Sequence, residues 1–188
     1  MPTPIGHAVG GVAAGCLVAA VTGYCRRYSA RGNLSTDKLE GFSSVQEFWA
    51  LALVGMLADI DLVFGAHRGA THSVGAILVV GVAATLFVKQ QKIRAGFVVA
   101  AAYASHVILD WLGSDPGPPF GVMALWPLTH EFYLSDVQVF FRVCREYWLV
   151  ECWRHNLAAI GRELLILTPV VIIAVWLVGI KRVIERES

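Results

Sequence analysis

The chain has 188 residues, of which 56% are hydrophobic and only 15% charged, with a formal net charge of +1. That length suggests one domain, here 1–188, and the composition is too apolar for an ordinary soluble domain of this size. The small net charge argues against nucleic acid and against a strongly acidic partner.

The order of apolar runs predicts an all-α integral membrane protein, a bundle of about five transmembrane helices with an extra amphipathic helical segment. The first run is Ile5 to Tyr24, rich in the Gly and Ala that suit close helix packing. It follows Met-Pro-Thr-Pro, with no basic n-region, and is expected to be a retained membrane helix rather than a cleaved signal. The second run is Phe48 to Phe64, interrupted by Asp59 and Asp61. The third is Ser73 to Val88, the fourth Ala95 to Leu112, and the fifth Leu164 to Ile180, with Pro169 near its start. Several are shorter than the ~20 residues of a full span.

Arg26, Arg27 and Arg31 follow the first run, Lys89, Lys92 and Arg94 separate the third from the fourth, and Lys181, Arg182 and Arg186 follow the fifth. The positive-inside rule puts these clusters in the cytoplasm. The N-terminus is then outside and the C-terminus inside, in a multi-pass arrangement. Leu34 to Ser44 is a polar cytoplasmic loop. Residues 114–163 form an external loop, within which Val137 to Trp153 reads as one or two amphipathic helices on the membrane surface or over the site. None of the four cysteines forms a CxxC pair. On one continuous helix Cys144 and Cys152 would be about 12 Å apart, so they can pair only if the helix breaks between them.

This topology places His7, Asp59, Asp61, His67, His72, His106 and Asp110 in one layer at the outer face. Ionisable side chains in membrane segments cost a few kcal/mol or more, and His with Asp is the usual ligand set for zinc and similar divalent ions. His106 and Asp110, four apart, share a helix face. They form either a two-ligand platform or a hydrogen-bonded pair. Asp59 and Asp61, two apart, point to nearly opposite sides of an α-helix. Either the helix ends there or one of them faces away, and Asp59 is the deeper. Gly69 lets the His67–His72 loop turn so that both imidazoles face a common centre. Arg68 offers a planar fork for a phosphate or carboxylate. His7 is an interfacial residue unless the shared layer makes it a ligand. Trp126 reads as an interfacial anchor, and His130 is the one candidate for a further ligand nearby.

These pieces in this order resemble a bacterial inner-membrane-bound metal-dependent hydrolase family, some members of which are LexA-regulated. The matching pieces are Pro4-Ile-Gly-His7, Asp59-Ile-Asp61, His67-Arg-Gly-Ala-Thr-His-Ser73, His106-Val-Ile-Leu-Asp110 and Gly121-Val-Met-Ala-Leu-Trp-Pro127, over about residues 1–130. The order His7, Asp59, His72, His106, Asp110 is also similar, more distantly, to that of zinc-dependent phospholipase C and P1-type nucleases. The resemblance implies a metal-dependent hydrolase.

The expected ligands of a divalent metal, zinc first, are His7, Asp59, His67, His72, His106 and Asp110. A spare carboxylate, Asp61 or else Asp59, is the expected general base and Arg68 the phosphate-holding group. The expected substrate is a phosphoester on a phospholipid or lipid-linked molecule, met in the bilayer. The alternatives are an ion transporter and a non-catalytic metal-binding membrane protein. Clustering of the ionisable groups at one face argues against a transport path, which needs them spread through the depth.

Overall fold

A computed structural model describes residues 1–22, 45–64, 67–88, 91–115 and 117–187, with side chains to residue 179. The basic residues Arg26, Arg27, Arg31 and Lys89, the loop Leu34 to Ser44, and the side chains of Lys181, Arg182 and Arg186 lie outside the described residues.

Five α-helices follow in order: α1 (Pro4–Thr22), α2 (Val45–Met56), α3 (Val74–Phe87), α4 (Lys92–Trp111) and α5 (Val150–Glu187). A 3-10 helix, Leu57–Phe64, continues from α2, and a short one, Ala70–His72, precedes α3. Among the described residues there is no strand, only two isolated bridges. The start of α1 is specified locally. Thr3 caps it, its hydroxyl accepting from Gly6 N at 3.1 Å, and Pro4 occupies the first helical position, where a missing N–H costs nothing. Ser73 caps α3 in the same way, accepting from Ala76 N.

Among the described residues three helices, not five, are long and apolar enough to cross a membrane: α1, α4 and the Val150–Gly179 part of α5. The second apolar run changes from α to 3-10 geometry just before its carboxylates. The third, α3, has 14 residues, about 21 Å at 1.5 Å per residue, against a hydrocarbon core of ~30 Å.

Helix α1 packs against α2, α4 and α5, and α3 packs against α4. At the α1–α2 crossing Gly11 and Gly55 meet backbone to backbone, and a Cβ on either would collide with the other helix. The main core joins Cys16, Ala19 and Ala20 of α1 to Leu51, Val98, Ala102, Ala174 and Val178. Outer faces are apolar instead of charged. Leu78, Val79, Val82 and Leu86 of α3 and Leu165, Ile172, Ile173 and Trp176 of α5 are exposed, as surfaces turned to hydrocarbon require.

The stretch from Gly113 to Leu149 is irregular. The amphipathic helices expected over Val137 to Trp153 are absent before Val150, where α5 begins and runs unbroken into the last span. Charge and aromatic content there reflect an interfacial surface rather than helical periodicity: Tyr147, Trp148 and Trp153 are exposed. This irregular chain is tied to the bundle by backbone bonds from Val139 N to Leu112 O (2.8 Å), Ser114 N to Phe140 O (2.9 Å) and Val143 N to Met1 O (3.2 Å). Cys144 and Cys152 form a disulfide, with Cα atoms 5.3 Å apart. The chain does break between them, since Cys144 lies in irregular backbone and Cys152 in α5.

Candidate metal centre

The sequence elements alternate in direction, so one end of the bundle collects the first turn of α1, the exit of α2, the entry to α3 and the last turns of α4. All eight of the expected site residues lie at this end, and seven of them in one contiguous cluster of His and Asp. Asp110 is at its middle. Its Oδ1 is 3.2 Å from His7 Nε2, and its Oδ2 is 3.2 Å from His72 Nε2 and 3.4 Å from His106 Nε2. Asp59 Oδ1 is 3.5 Å from His106 Nε2 and 3.9 Å from His72 Nε2. His7, His72, His106 and Asp110 are almost fully buried, whereas the Asp59 side chain is 24% exposed and marks the open side.

The 3-10 geometry resolves the spacing of the two carboxylates. At three residues per turn, Ala58 and Asp61 share the buried face, Leu57, Ile60 and Val63 share an exposed one, and Asp59 lies between them at the rim. Asp61 therefore faces inward, behind the imidazoles. It accepts from Thr71 Oγ1 (2.6 Å), from the backbone N of Arg68 (3.1 Å) and from His67 Nδ1 (2.9 Å), and it lies 3.2 Å from His72 Nδ1. Burial opposes its ionisation, but the bonds from His72, His67 and Thr71 outweigh that and hold its carboxyl well below the usual range. This is the placement of a carboxylate that orients imidazoles from their far side.

The tautomers follow from these partners. His106 Nδ1 is 2.7 Å from Gly55 O, a carbonyl that can only accept, so the proton is on Nδ1 and the lone pair on Nε2. His72 Nδ1 likewise faces Asp61. The two Nε2 atoms then confront each other at 3.1 Å. Two lone pairs at that distance repel unless a cation or a proton sits with them. Both oxygens of Asp110 are buried without a hydrogen-bond donor of good geometry among the described residues, although three imidazole nitrogens lie within ion-pair distance. Burial disfavours the imidazolium of His72, yet Asp110 and Asp61 outweigh it and raise its pKa above the ordinary value. The same field that draws a proton to this spot draws a metal cation. His7, His106 and Asp110 each offer a ligand atom within 4.8 Å of the others, and so do Asp59, His67 and His72. The donor set fits a divalent metal.

Other residues lie differently from expectation. The loop turns at Arg68, whose φ is 71°, rather than at Gly69, whose φ is −80°. The Arg68 guanidinium is ion-paired with Asp115, whose Oδ2 also accepts from Gly121 N at 2.8 Å. Arg68 thus clamps the 115–121 turn onto the site loop. Its Nε is buried without an acceptor among the described residues. Arg68→Ala should destabilise the protein toward the lower end of the about 3–5 kcal/mol seen when a buried pair loses one partner. Arg68→Lys, which keeps the charge but not the fork, should lose less. Thermal unfolding in detergent checks both. His130 is exposed, and the Trp126 ring packs on Gly75.

Sequence reasoning passed over Glu163. This α5 carboxylate is fully buried and holds the start of α1, accepting from Thr3 N at 2.7 Å and from the Thr3 hydroxyl. Its signal was its position, the last charge before an apolar run. Tyr103 was also passed over. It lies one turn before His106 and donates to Thr71 O at 2.6 Å, tying α4 to the site loop.

The fold and this cluster define a helical membrane protein with a buried His/Asp grouping that could hold a metal ion. Residues 1–185 match the family described as YdjM inner membrane protein, and the chain belongs to that family. The description gives a membrane location and no activity. No curated protein and no solved structure matches the chain significantly.

Proposed function

We propose that the protein is a membrane-bound metal-dependent hydrolase, a phosphoesterase acting on a phospholipid or a lipid-linked phosphate. The observation that carries this reading is the pair of opposed imidazole nitrogens, His72 Nε2 and His106 Nε2, beside the Asp110 carboxylate, on which three imidazole nitrogens converge. His7, His72, His106, Asp110 and Asp59 would hold the metal, with zinc suited to this nitrogen and oxygen set. A divalent metal supplies Lewis acidity, bringing the pKa of water toward neutrality and polarising a phosphoryl oxygen.

The chain's own residues supply the rest. Asp61 fixes the rings of His67 and His72. Asp59 would be the ligand at the open rim, on the side where water and substrate arrive. The unused Nε–H of Arg68 is a donor for a phosphate oxygen. The exposed residues around Asp59 are Leu57, Ile60, Leu62, Val63 and Phe64. A ligand reaching Asp59 past them crosses an apolar surface, which favours a lipid arriving sideways from the bilayer.

The disulfide bears on orientation. It sits in the connection that covers the site end, and such bonds persist in oxidising compartments. This agrees with a site at the outer face and a cytoplasmic C-terminus. In intact spheroplasts treated with a membrane-impermeant reductant, an impermeant maleimide should label Cys144 and Cys152. Labelling only after lysis would put the site on the other side.

The activity test is release of headgroup or phosphate from a panel of phospholipids and lipid-linked phosphates by the metal-loaded protein in detergent. Hydrolysis that disappears in His106→Ala and on chelation is expected. A fully metal-loaded protein inert toward every member of the panel would leave the non-catalytic metal-binding reading in its place.

A further inference from the structure

We propose that the cluster holds two divalent cations side by side, one on His7, His106 and Asp110 and the other on Asp59, His67 and His72, so that a phosphoester group bridges them. This deepens the hydrolase reading and rests on it.

The imidazoles do not ring a single point. They form a row. His7 stacks on His106 with centroids 3.7 Å apart, His106 meets His72 edge-on at 4.9 Å, and His72 meets His67 edge-on at 5.1 Å. Asp110 reaches His7, His106 and His72, and Asp59 offers a second carboxylate grouped with His67 and His72. Each triad brings its three ligand atoms within 4.8 Å of one another. Three protein ligands per metal is the number that leaves coordination positions open for water and substrate.

A second mismatch of lone pairs, apart from the one between His72 and His106, lies at His67. His67 Nδ1 faces Asp61 Oδ1 at 2.9 Å, and with the proton there, Nε2 presents a lone pair. What faces that nitrogen, at 3.0 Å, is the thioether sulfur of Met1, itself an electron-pair donor. Two electron-pair donors face each other there, and a cation on His67 Nε2 would displace the Met1 side chain. Charge points the same way. Asp59, Asp61 and Asp110 carry three negative charges in one poorly solvated cluster. One divalent ion leaves a negative excess, while two leave a single positive charge, which suits an anionic substrate. Two adjacent cations are the arrangement that clamps both the attacking and the leaving oxygen of a phosphoryl centre.

The test is Zn²⁺ titration of the full chain in detergent, stripped with a chelator and read by competition with a chromophoric chelator. Two Zn²⁺ per chain are expected in the unmodified protein, one in His67→Ala, and none when His67 and His106 are both replaced. His67 is partly exposed at the rim, and gel filtration with circular dichroism establishes that the variant keeps its fold. Mn²⁺ loading gives a second readout: an exchange-coupled pair by electron paramagnetic resonance in the unmodified protein and an isolated ion in His67→Ala. One Zn²⁺ per chain, unchanged in His67→Ala, would overturn the second cation and leave a one-metal hydrolase standing. No bound Zn²⁺ at all would overturn both.

Discussion

Asp110→Ala should strip the site of metal and abolish hydrolysis. Three imidazole nitrogens, from His7, His72 and His106, converge on this carboxylate at 3.2–3.4 Å. It is 2% exposed, so its truncation leaves three buried imidazoles without their charged partner. Replacing a residue that merely orients a ligand costs about 10–100-fold in affinity or activity, and losing the ligand common to three imidazoles should exceed that. Stability should fall as well, by about 3–5 kcal/mol, the range for a buried ion pair deprived of one partner. Asp110→Asn separates the two effects. It keeps the shape and polarity but not the charge, so the fold should survive while the metal is lost. Elemental analysis and thermal unfolding of both variants, run together, check this. An Asp110→Asn protein with full metal occupancy would remove Asp110 from the ligand set.

Glu163→Ala should be the most destabilising change outside the cluster. This carboxylate, from the last helix, accepts both the backbone N–H and the hydroxyl of Thr3, and Thr3 caps α1 one turn before His7. Truncation leaves two buried donors without an acceptor, at about 1–3 kcal/mol each. Glu163→Gln keeps one acceptor oxygen and should lose less than half as much. Because α1 carries His7, Glu163→Ala should also loosen the metal, seen as faster transfer of Zn²⁺ to an external chelator. Equal unfolding temperatures for Glu163→Ala and the unmodified protein would refute the cap.

The membrane class and the gathering of His7, Asp59, His67, His72, His106 and Asp110 were legible in the sequence. Apolar runs fix which segments enter lipid, and polar residues at alternate run ends must then meet in one layer. The exact division of labour was not legible. Whether Asp59 or Asp61 faces inward depends on a change from 3.6 to 3 residues per turn after Met56, and apolar patterning over eight residues does not distinguish the two. The positive φ at Arg68 was likewise hidden, because Gly69 beside it was the better local candidate for a turn. Glu163 lay among other charges of a long connection, and only a contact 160 residues away in sequence makes it structural. The five-span reading counted apolar runs of which several were already shorter than a full span, and α3, at 14 residues, is too short for one.

The central claim, that His and Asp side chains at one end of the bundle bind a divalent metal, is tested most directly by X-ray absorption at the zinc edge. The sample is the Zn²⁺-loaded, disulfide-intact chain in detergent. The account predicts a shell of nitrogen and oxygen only, at about 2.0–2.2 Å, with the multiple-scattering signature of imidazole, and its loss in Asp110→Asn. A sulfur shell at about 2.3 Å, or a spectrum unchanged in Asp110→Asn, would contradict the account.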